Sequence, residues 1–284
     1  MDRWAWLCRD AVRSGRRLSQ SENGLAQVGL VNTERCYTCR VIHPTPYPDV
    51  NAVLPDYPYE AIIFDLGGVL MDWNPRYLYR KLFDGNSHSM ERFLTEIGFA
   101  EWNLQQDRGR PFAVAVAELC ARFPAYADLI KAYDQRWEES LAGPIQSTVD
   151  ILYSLKQAGY RLYGLSNWSV EKFQIVRPKY EFLSWFEMIM VSGEVGLVKP
   201  DPGIYALLLE RIRRTAEECL FIDDSKANIA AASQMGFKTI QSQSPEQLAT
   251  ELCSLGVLPL VKQAAQPSPA PHGPPGHPGR AIAT

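Results

Sequence analysis

No apolar run in this sequence reaches the ~18 residues that a bilayer-spanning helix requires, so no membrane partner is expected. No charge of one sign dominates either: 29 Lys and Arg stand against 32 Asp and Glu, a formal net charge of -3. That balance offers no bulk attraction to nucleic acid or to an acidic membrane surface. Cysteine is sparse and scattered, six in 284 residues. A chain this long does not depend on disulfides, which points to a reducing, cytoplasmic setting. Cys36-Tyr37-Thr38-Cys39 followed by His43 hints at zinc. A structural zinc site needs four ligands, and no second pair lies nearby. A redox role would want a thioredoxin-like unit, which is also missing. Internal repeats are lacking. What remains, 46% hydrophobic and 21% charged, is ordinary for a globular protein. The length suits one large domain, or a core with a smaller one attached.

Three zones differ in character. Residues 1–58 show no sustained periodicity and read as a disordered extension. The five arginines of its first stretch (Arg3, Arg9, Arg13, Arg16 and Arg17) invite a transit-peptide reading that Asp2 and Asp10 oppose. Residues 263–284, with Pro267, Pro269, Pro271, Pro274, Pro275 and Pro278, read as a disordered tail in which His272 and His277 are solvated.

Between these ends the pattern is strand, helices, then alternating strand and helix. Ala61-Ile62-Ile63-Phe64 suits a strand buried on both faces. From Pro75 to about Leu141 the signals are helical, with one stripe at Tyr77, Leu78, Leu82 and Phe83 and another at Phe112, Val116, Leu119 and Phe123. Ser147-Thr148-Val149-Asp150 resembles a capping box opening a helix that buries Ile151, Leu152, Leu155 and Ala158 and stops at Gly159. Strands are expected at 161–165, 188–191, 219–222 and 238–240, with helical stretches at 170–185, 202–212 and 227–235. Apolar strands alternating with helices predict an α/β fold with a parallel sheet covered on both sides. The helical block after the first strand is too long for one crossover, so residues 75–145 are expected to form a helical cap on a core of 59–74 and 146–262.

Three of these strands run into polar groups: Asp65, Ser166 and the Asp223-Asp224 pair. Ligands of open parallel sheets bind beyond the carboxyl ends of the strands. Lys199, ahead of Pro200-Asp201-Pro202, can face the same crevice. Three carboxylates in one place repel one another unless a cation sits among them. Hard oxygen ligands suit Mg²⁺, which takes one or two carboxylates plus substrate phosphate. With Lys199 and Ser166 the group describes a phosphoryl cradle holding a nucleophilic carboxylate. Taken singly, an Asp after a strand is often only a turn or a helix cap, and Lys199 a solvated loop residue.

Phe64-Asp65-Leu66-Gly67-Gly68-Val69-Leu70, Leu165-Ser166-Asn167, Lys199-Pro200 and Phe221-Ile222-Asp223-Asp224-Ser225 resemble, in order and approximate spacing, the four motifs of the haloacid-dehalogenase-like hydrolases. The Asp-x-Gly-Gly-Val form and the following Asp-Trp-Asn-Pro look like the subgroup that includes alpha-D-glucose-1-phosphate phosphatase. The resemblance implies a Rossmann-like core with an inserted helical cap, and hydrolysis of a small phosphorylated metabolite by a monomer or homodimer. It implies that Asp65 forms an aspartyl-phosphate and that Ser166, Lys199 and Asn167 bind the phosphoryl group. Mg²⁺ would then be held by Asp65, the carbonyl of Gly67 and Asp224, with Asp223 close by.

One position departs from the pattern. Most phosphatases of this family carry an acid two residues after the nucleophile, and here that residue is Gly67. Losing such a group costs ~10²–10⁴-fold. Without it the rate should depend steeply on leaving-group acidity, unless Asp72 or Asp107 supplies the proton. Two readings compete with a phosphatase. Haloacid dehalogenases lack a carboxylate pair in the fourth motif, so Asp223-Asp224 argues against that chemistry. A binding or regulatory protein weakened in catalysis draws its support from Gly67. In the cap, Glu101, Trp102, Asn103, Gln106 and Asp107 read as a solvated helix face, with substrate recognition as the alternative. Trp73 reads equally as core–cap packing or as part of the substrate entrance.

Overall fold

The computed structural model describes residues 58–258. The Cys36, Cys39 and His43 group, the extension short of Pro58 and the proline-rich tail lie outside the described residues. Five strands make a parallel sheet: β1 (Ala61–Phe64), β4 (Arg161–Ser166), β5 (Met188–Val191), β6 (Cys219–Asp223) and β7 (Lys238–Gln241), in the order β5-β4-β1-β6-β7. β1 is central because all four of its side chains are apolar and none is exposed. Ile62 and Phe64 enter the core on one face of the sheet, Ala61 and Ile63 that on the other. Each fully buried Ile or Phe contributes ~1.5–3 kcal/mol. The first face is covered by α6 (Gln146–Gln157) and α11 (Pro245–Ser254), through Leu152, Leu155, Leu248 and Leu252. The second is covered by α9 (Pro202–Ile212) and α10 (Lys226–Gln234), through Ile204, Tyr205, Leu208 and Ala232. This is the expected α/β fold.

Chain order reverses at β1, with β4 on one side and β6 on the other. The carboxyl ends of these three strands therefore border one crevice, the position where such sheets bind ligands.

The helical insertion springs from a two-stranded antiparallel ribbon, β2 (Met71–Trp73) with β3 (Leu141–Pro144), which the periodicity did not suggest. Between these strands lie α1 (Pro75–Leu82), α2 (Ser87–Glu96), α3 (Phe99–Asp107), α4 (Phe112–Arg122) and α5 (Ala127–Gln135). Asn74 caps α1 by accepting the Arg76 N–H at 3.0 Å, ahead of Pro75. The insertion has its own aromatic centre, where Tyr79 stacks on Tyr133 at 6.1 Å and meets Phe93 edge-on at 5.0 Å. It is tied to the sheet domain through α7 (Val170–Val176). Lys172 Nζ pairs with Asp134 Oδ1 at 2.5 Å, and Glu171 Oε1 accepts the Phe112 N–H at 3.0 Å.

Several local expectations change. Ser147 and Thr148 lie inside α6, whose N-cap is Ile145 with no side-chain cap bond. The Ile145 N–H donates to the Leu70 carbonyl at 2.9 Å, so ribbon attachment starts the helix early and the capping box does not form. Ala158 is exposed, and Thr148 and Val149 join the buried face instead. The helical stretch at 170–185 breaks after α7 near Pro178 and resumes as a 3-10 turn, Glu181–Trp185. Two further helices went unread, α8 (Ser192–Val195) and α11. In α1 it is Tyr79, outside the expected stripe, that joins Leu78 in full burial.

Candidate active site

Asp65 follows β1 directly, and three donors converge on its Oδ1: the Leu66 N–H at 2.7 Å, Ser166 Oγ at 3.0 Å and Lys199 Nζ at 2.9 Å. Together they fix the rotation of the carboxylate and leave Oδ2 for a further partner. Ser166 comes from the end of β4 and is buried. Lys199 precedes a cis peptide to Pro200, and its ammonium also reaches Asp223 Oδ2 at 2.6 Å. Asp223, at the end of β6, is fully buried and saturated. Besides Lys199 it accepts the Ser225 N–H at 2.8 Å and Asn228 Nδ2 at 3.0 and 3.1 Å. Asp223 thus anchors Lys199, and Asn228, which sequence reasoning missed, anchors Asp223.

The structure brings together Asp65, Ser166, Lys199, Asp223 and Asp224 at the strand ends. Asn167 is adjacent, but its amide is engaged with the Lys199 backbone: Nδ2 donates to the Lys199 carbonyl at 2.9 Å and Oδ1 accepts the Lys199 N–H at 2.8 Å. The Asn167 side chain therefore holds the Lys199 peptide in place.

Electrostatics follow from this packing. Burial raises the Asp65 carboxyl above the usual range; Lys199 opposes the rise, and the charges of Asp223 and Asp224 add to it. Burial works against the charged form of Lys199, but Asp65 and Asp223 outweigh it and raise its pKa. One ammonium under-neutralises three carboxylates. Oxygen atoms of Asp65, Asp223 and Asp224 lie within 4.8 Å of one another, an all-oxygen set that suits a hard divalent cation. The backbone is shaped for it. Gly68 has φ +74°, and a Cβ there would stand 2.4 Å from Asp224 Oδ2. Only glycine lets the Gly67-Gly68 turn close onto that carboxylate. A Cβ at Gly67 would meet nothing within 4 Å, so an acid is missing there for want of a side chain and not of space.

Beside Asn167, Trp168 and Ser169, where the chain leaves β4, lies a cavity of about 60 Å³. Its walls are aromatic, from Trp73, Phe112, Tyr133, Trp137 and Trp168. Its polar groups are Asn103, Asp107, Asn167 and Ser169. Trp73 pairs with Leu141 in the ribbon at the base of the cap and also lines this cavity. The Trp168 indole N–H is buried without a hydrogen-bond partner among the described residues. The Tyr133 hydroxyl donates to Asn103 Oδ1 at 3.1 Å. Asn103 Nδ2 in turn donates to Asp107 Oδ2 at 3.2 Å. Loss of water around Asp107 raises its carboxyl to about 7; the Ser169 N–H opposes this and the Asp65 charge reinforces it. The solvated-face reading of the cap cluster is overturned. Trp102 and Gln106 are buried, Asn103 and Asp107 face the cavity, and Glu101 is the exposed member. Only their i, i+4 spacing on α3, matching Asn103 to Asp107, could have signalled a shared face.

Known proteins resemble this chain over much of its length. The chain is 27% identical over 184 residues to sesquiterpene phosphatase astK of Aspergillus oryzae, covering 63% of this chain and 87% of that protein. It is 26% identical over 186 residues to the phosphorylated carbohydrates phosphatase of Thermotoga maritima, covering 64% and 83%. A match to drimenol cyclase drtB of Aspergillus calidoustus, 29% identical, spans 37% of this chain and only 20% of that protein. A haloacid dehalogenase family enzyme of Bacteroides thetaiotaomicron, solved in complex with magnesium and inorganic phosphate, shares the fold with a TM-score of 0.52 and 26% identity, over 65% of this chain and 94% of that one. Residues 59–236, which hold every strand-end group described above, match the haloacid dehalogenase-like hydrolases, and the chain is a hydrolase of that family.

Proposed function

We propose that this protein is a magnesium-dependent phosphomonoesterase that works through an aspartyl-phosphate on Asp65. The observation that carries the reading is the convergence on Asp65 Oδ1 of Ser166 and Lys199, beside the Asp223-Asp224 pair. Asp65 is held in a single orientation as nucleophile. Lys199 supplies fixed positive charge for the phosphoryl oxygens, and Ser166 a short donor. Asp65, Asp224 and the Gly67 carbonyl would hold Mg²⁺, with Asp223 behind them. When bound, the ion neutralises the carboxylates and the charge that develops on the phosphoryl group. Phosphatase-named relatives support the reaction class.

The substrate we infer is a small phosphorylated metabolite. Among the described residues no Lys or Arg lines the cavity, and on that lining we infer an alcohol that carries no second anionic group. The two phosphatase relatives are named for a sesquiterpene and for phosphorylated carbohydrates. An alpha-D-glucose-1-phosphate substrate, suggested by the Asp-x-Gly-Gly-Val form, belongs in the first assay panel. We read 59–74 and 146–262 as the catalytic core and 75–145 as the cap, acting in the cytoplasm as monomer or homodimer.

The test is turnover of phosphorylated metabolites with Mg²⁺, with EDTA, and by Asp65→Asn. Activity should vanish in the last two while circular dichroism keeps the native fold. Hydrolysis that persists in EDTA would sink the metal reading.

A further inference from the structure

A phosphate ester with an alkoxide leaving group needs a proton as the bond to phosphorus breaks, and the attacking water must later lose one. The carboxyls at the strand ends are already committed. Asp65 is the nucleophile in the proposed reaction, on which this inference rests. Asp223 is saturated by Lys199, Ser225 and Asn228. Asp224 belongs to the cation cluster. At Gly67 there is no side chain. Of the two carboxyls considered from the sequence, Asp72 is engaged by the Tyr77 hydroxyl at 2.9 and 3.0 Å. Asp107 is the carboxyl that lines the cavity.

Its placement is built from both domains. Asp107 ends α3 in the cap, and its own carbonyl accepts Ser192 Oγ, from the segment after β5, at 2.6 Å. The same Ser192 Oγ accepts the Trp168 N–H at 2.9 Å, two residues past Ser166. A single hydroxyl therefore links the backbone at Asp107 to the chain leaving β4. The carboxyl itself is steered by Asn103 Nδ2, which donates to its Oδ2 at 3.2 Å. It shares its cavity with Asn167, Trp168 and Ser169, the residues that directly follow Ser166, and it feels the charge of Asp65.

We propose that Asp107 is the general acid and base of this enzyme, supplied by the cap in place of the side chain missing at Gly67. In the first step an Asp65 oxygen bonds to phosphorus and the P–O bond to the alcohol breaks. Its electron pair stays on the leaving oxygen, which takes the Asp107 proton. In the second step the Asp107 carboxylate removes a proton from water as the water oxygen bonds to phosphorus. The pair of the breaking P–O bond then returns to Asp65. One ester and one water give one alcohol and one phosphate, and Asp107 ends protonated. Its environment favours this role, since the carboxyl titrates at about 7 and still holds much of its proton near neutrality. This replaces the no-acid expectation drawn from Gly67.

The experiment compares wild type, Asp107→Asn and Asp107→Glu on a simple alkyl phosphate and on 4-nitrophenyl phosphate, with Mg²⁺, reading kcat/KM against pH. Loss of the acid should cut the alkyl ester ~10²–10⁴-fold, and the aryl ester, whose phenolate leaves without help, at least tenfold less. Wild-type kcat/KM on the alkyl ester should fall above about pH 7. That limb should vanish in Asp107→Asn and persist, shifted, in Asp107→Glu. The groups facing Asp107 that could colour the profile are Asp65 at the end of β1 and Tyr133 on α5. Acid-quenched Asp107→Asn should also retain more phosphoenzyme than wild type, because the base of the second step is gone. Equal losses on both esters, or an unchanged limb in Asp107→Asn, would overturn the assignment. A wild type inert on both esters would overturn the phosphatase reading and this inference with it.

Discussion

Asn167 grips the peptide of Lys199 from both sides, its Oδ1 accepting the N–H at 2.8 Å and its Nδ2 donating to the carbonyl at 2.9 Å. The residue after β4 therefore positions the cation that faces Asp65, so two segments 32 residues apart share one alignment.

Asn167→Ala removes both bonds. At ~1 kcal/mol net for each, the loss is about 2 kcal/mol, or ~4–8 °C in Tm for a domain of this size. Misplacing Lys199 should also lower kcat/KM by ~10–100-fold. Melting and steady-state kinetics check the two effects together, and a stable variant with normal kcat/KM would show that Lys199 needs no such clamp.

Gly68→Ala places a methyl 2.4 Å from Asp224 Oδ2, on backbone with φ +74°. Strain of ~1–3 kcal/mol is expected, and the Asp224 carboxylate must move. A ligand that binds the native state raises Tm, so adding Mg²⁺ should stabilise wild type and stabilise Gly68→Ala much less. Gly67→Ala is the comparison, since its Cβ meets nothing within 4 Å, and it should be less strained. Equal Mg²⁺ shifts in wild type and Gly68→Ala would place the ion elsewhere.

Asp107 also leaves a mark on stability. Desolvation raises its carboxyl from 3.8 to about 7, so above pH ~4 the folded state holds a proton that the unfolded chain has lost. Stability should fall as pH rises from ~4 to ~7, by up to 1.36 kcal/mol per pH unit. Asp107→Asn lacks this cost. Allowing for solvent screening of a partly exposed group, its advantage over wild type should grow from near zero at pH 4 to about 2–4 kcal/mol above pH 7. Urea titrations in EDTA measure it; an advantage independent of pH would show that Asp107 ionises normally.

Elements decided by local rules were legible in the sequence. β1 reads as a strand because four consecutive apolar residues can only be buried on both faces, and α9 because Asp201-Pro202 presets a capped first turn. The same signal stands at Ser244-Pro245, where it opens α11, and it was overlooked. The β2–β3 ribbon is different in kind. Met71 pairs with Pro144 across the whole insertion, and strands of three and four residues carry no readable period. Its bond from Ile145 to Leu70 then overrode a plausible capping box, since tertiary attachment outweighs a few tenths of local preference.

The sequence alone determined the residues at the strand ends. An Asp, a Ser and an Asp pair after apolar runs must emerge together once those runs lie parallel, so Asp65, Ser166, Asp223 and Asp224 were legible as one group, with Lys199 in reach. Only the tertiary structure decided what each does to the others: that Asp223 is saturated, that Asn167 serves Lys199, and that Asp107 looks into the cavity. Spacing along a helix gives the face a residue shares, but not whether that face meets water or another domain. Asp107 reads as solvated on an isolated α3. It becomes a desolvated carboxyl in the cavity beside the chain leaving β4 because Ser192 and α7 hold the cap against the sheet.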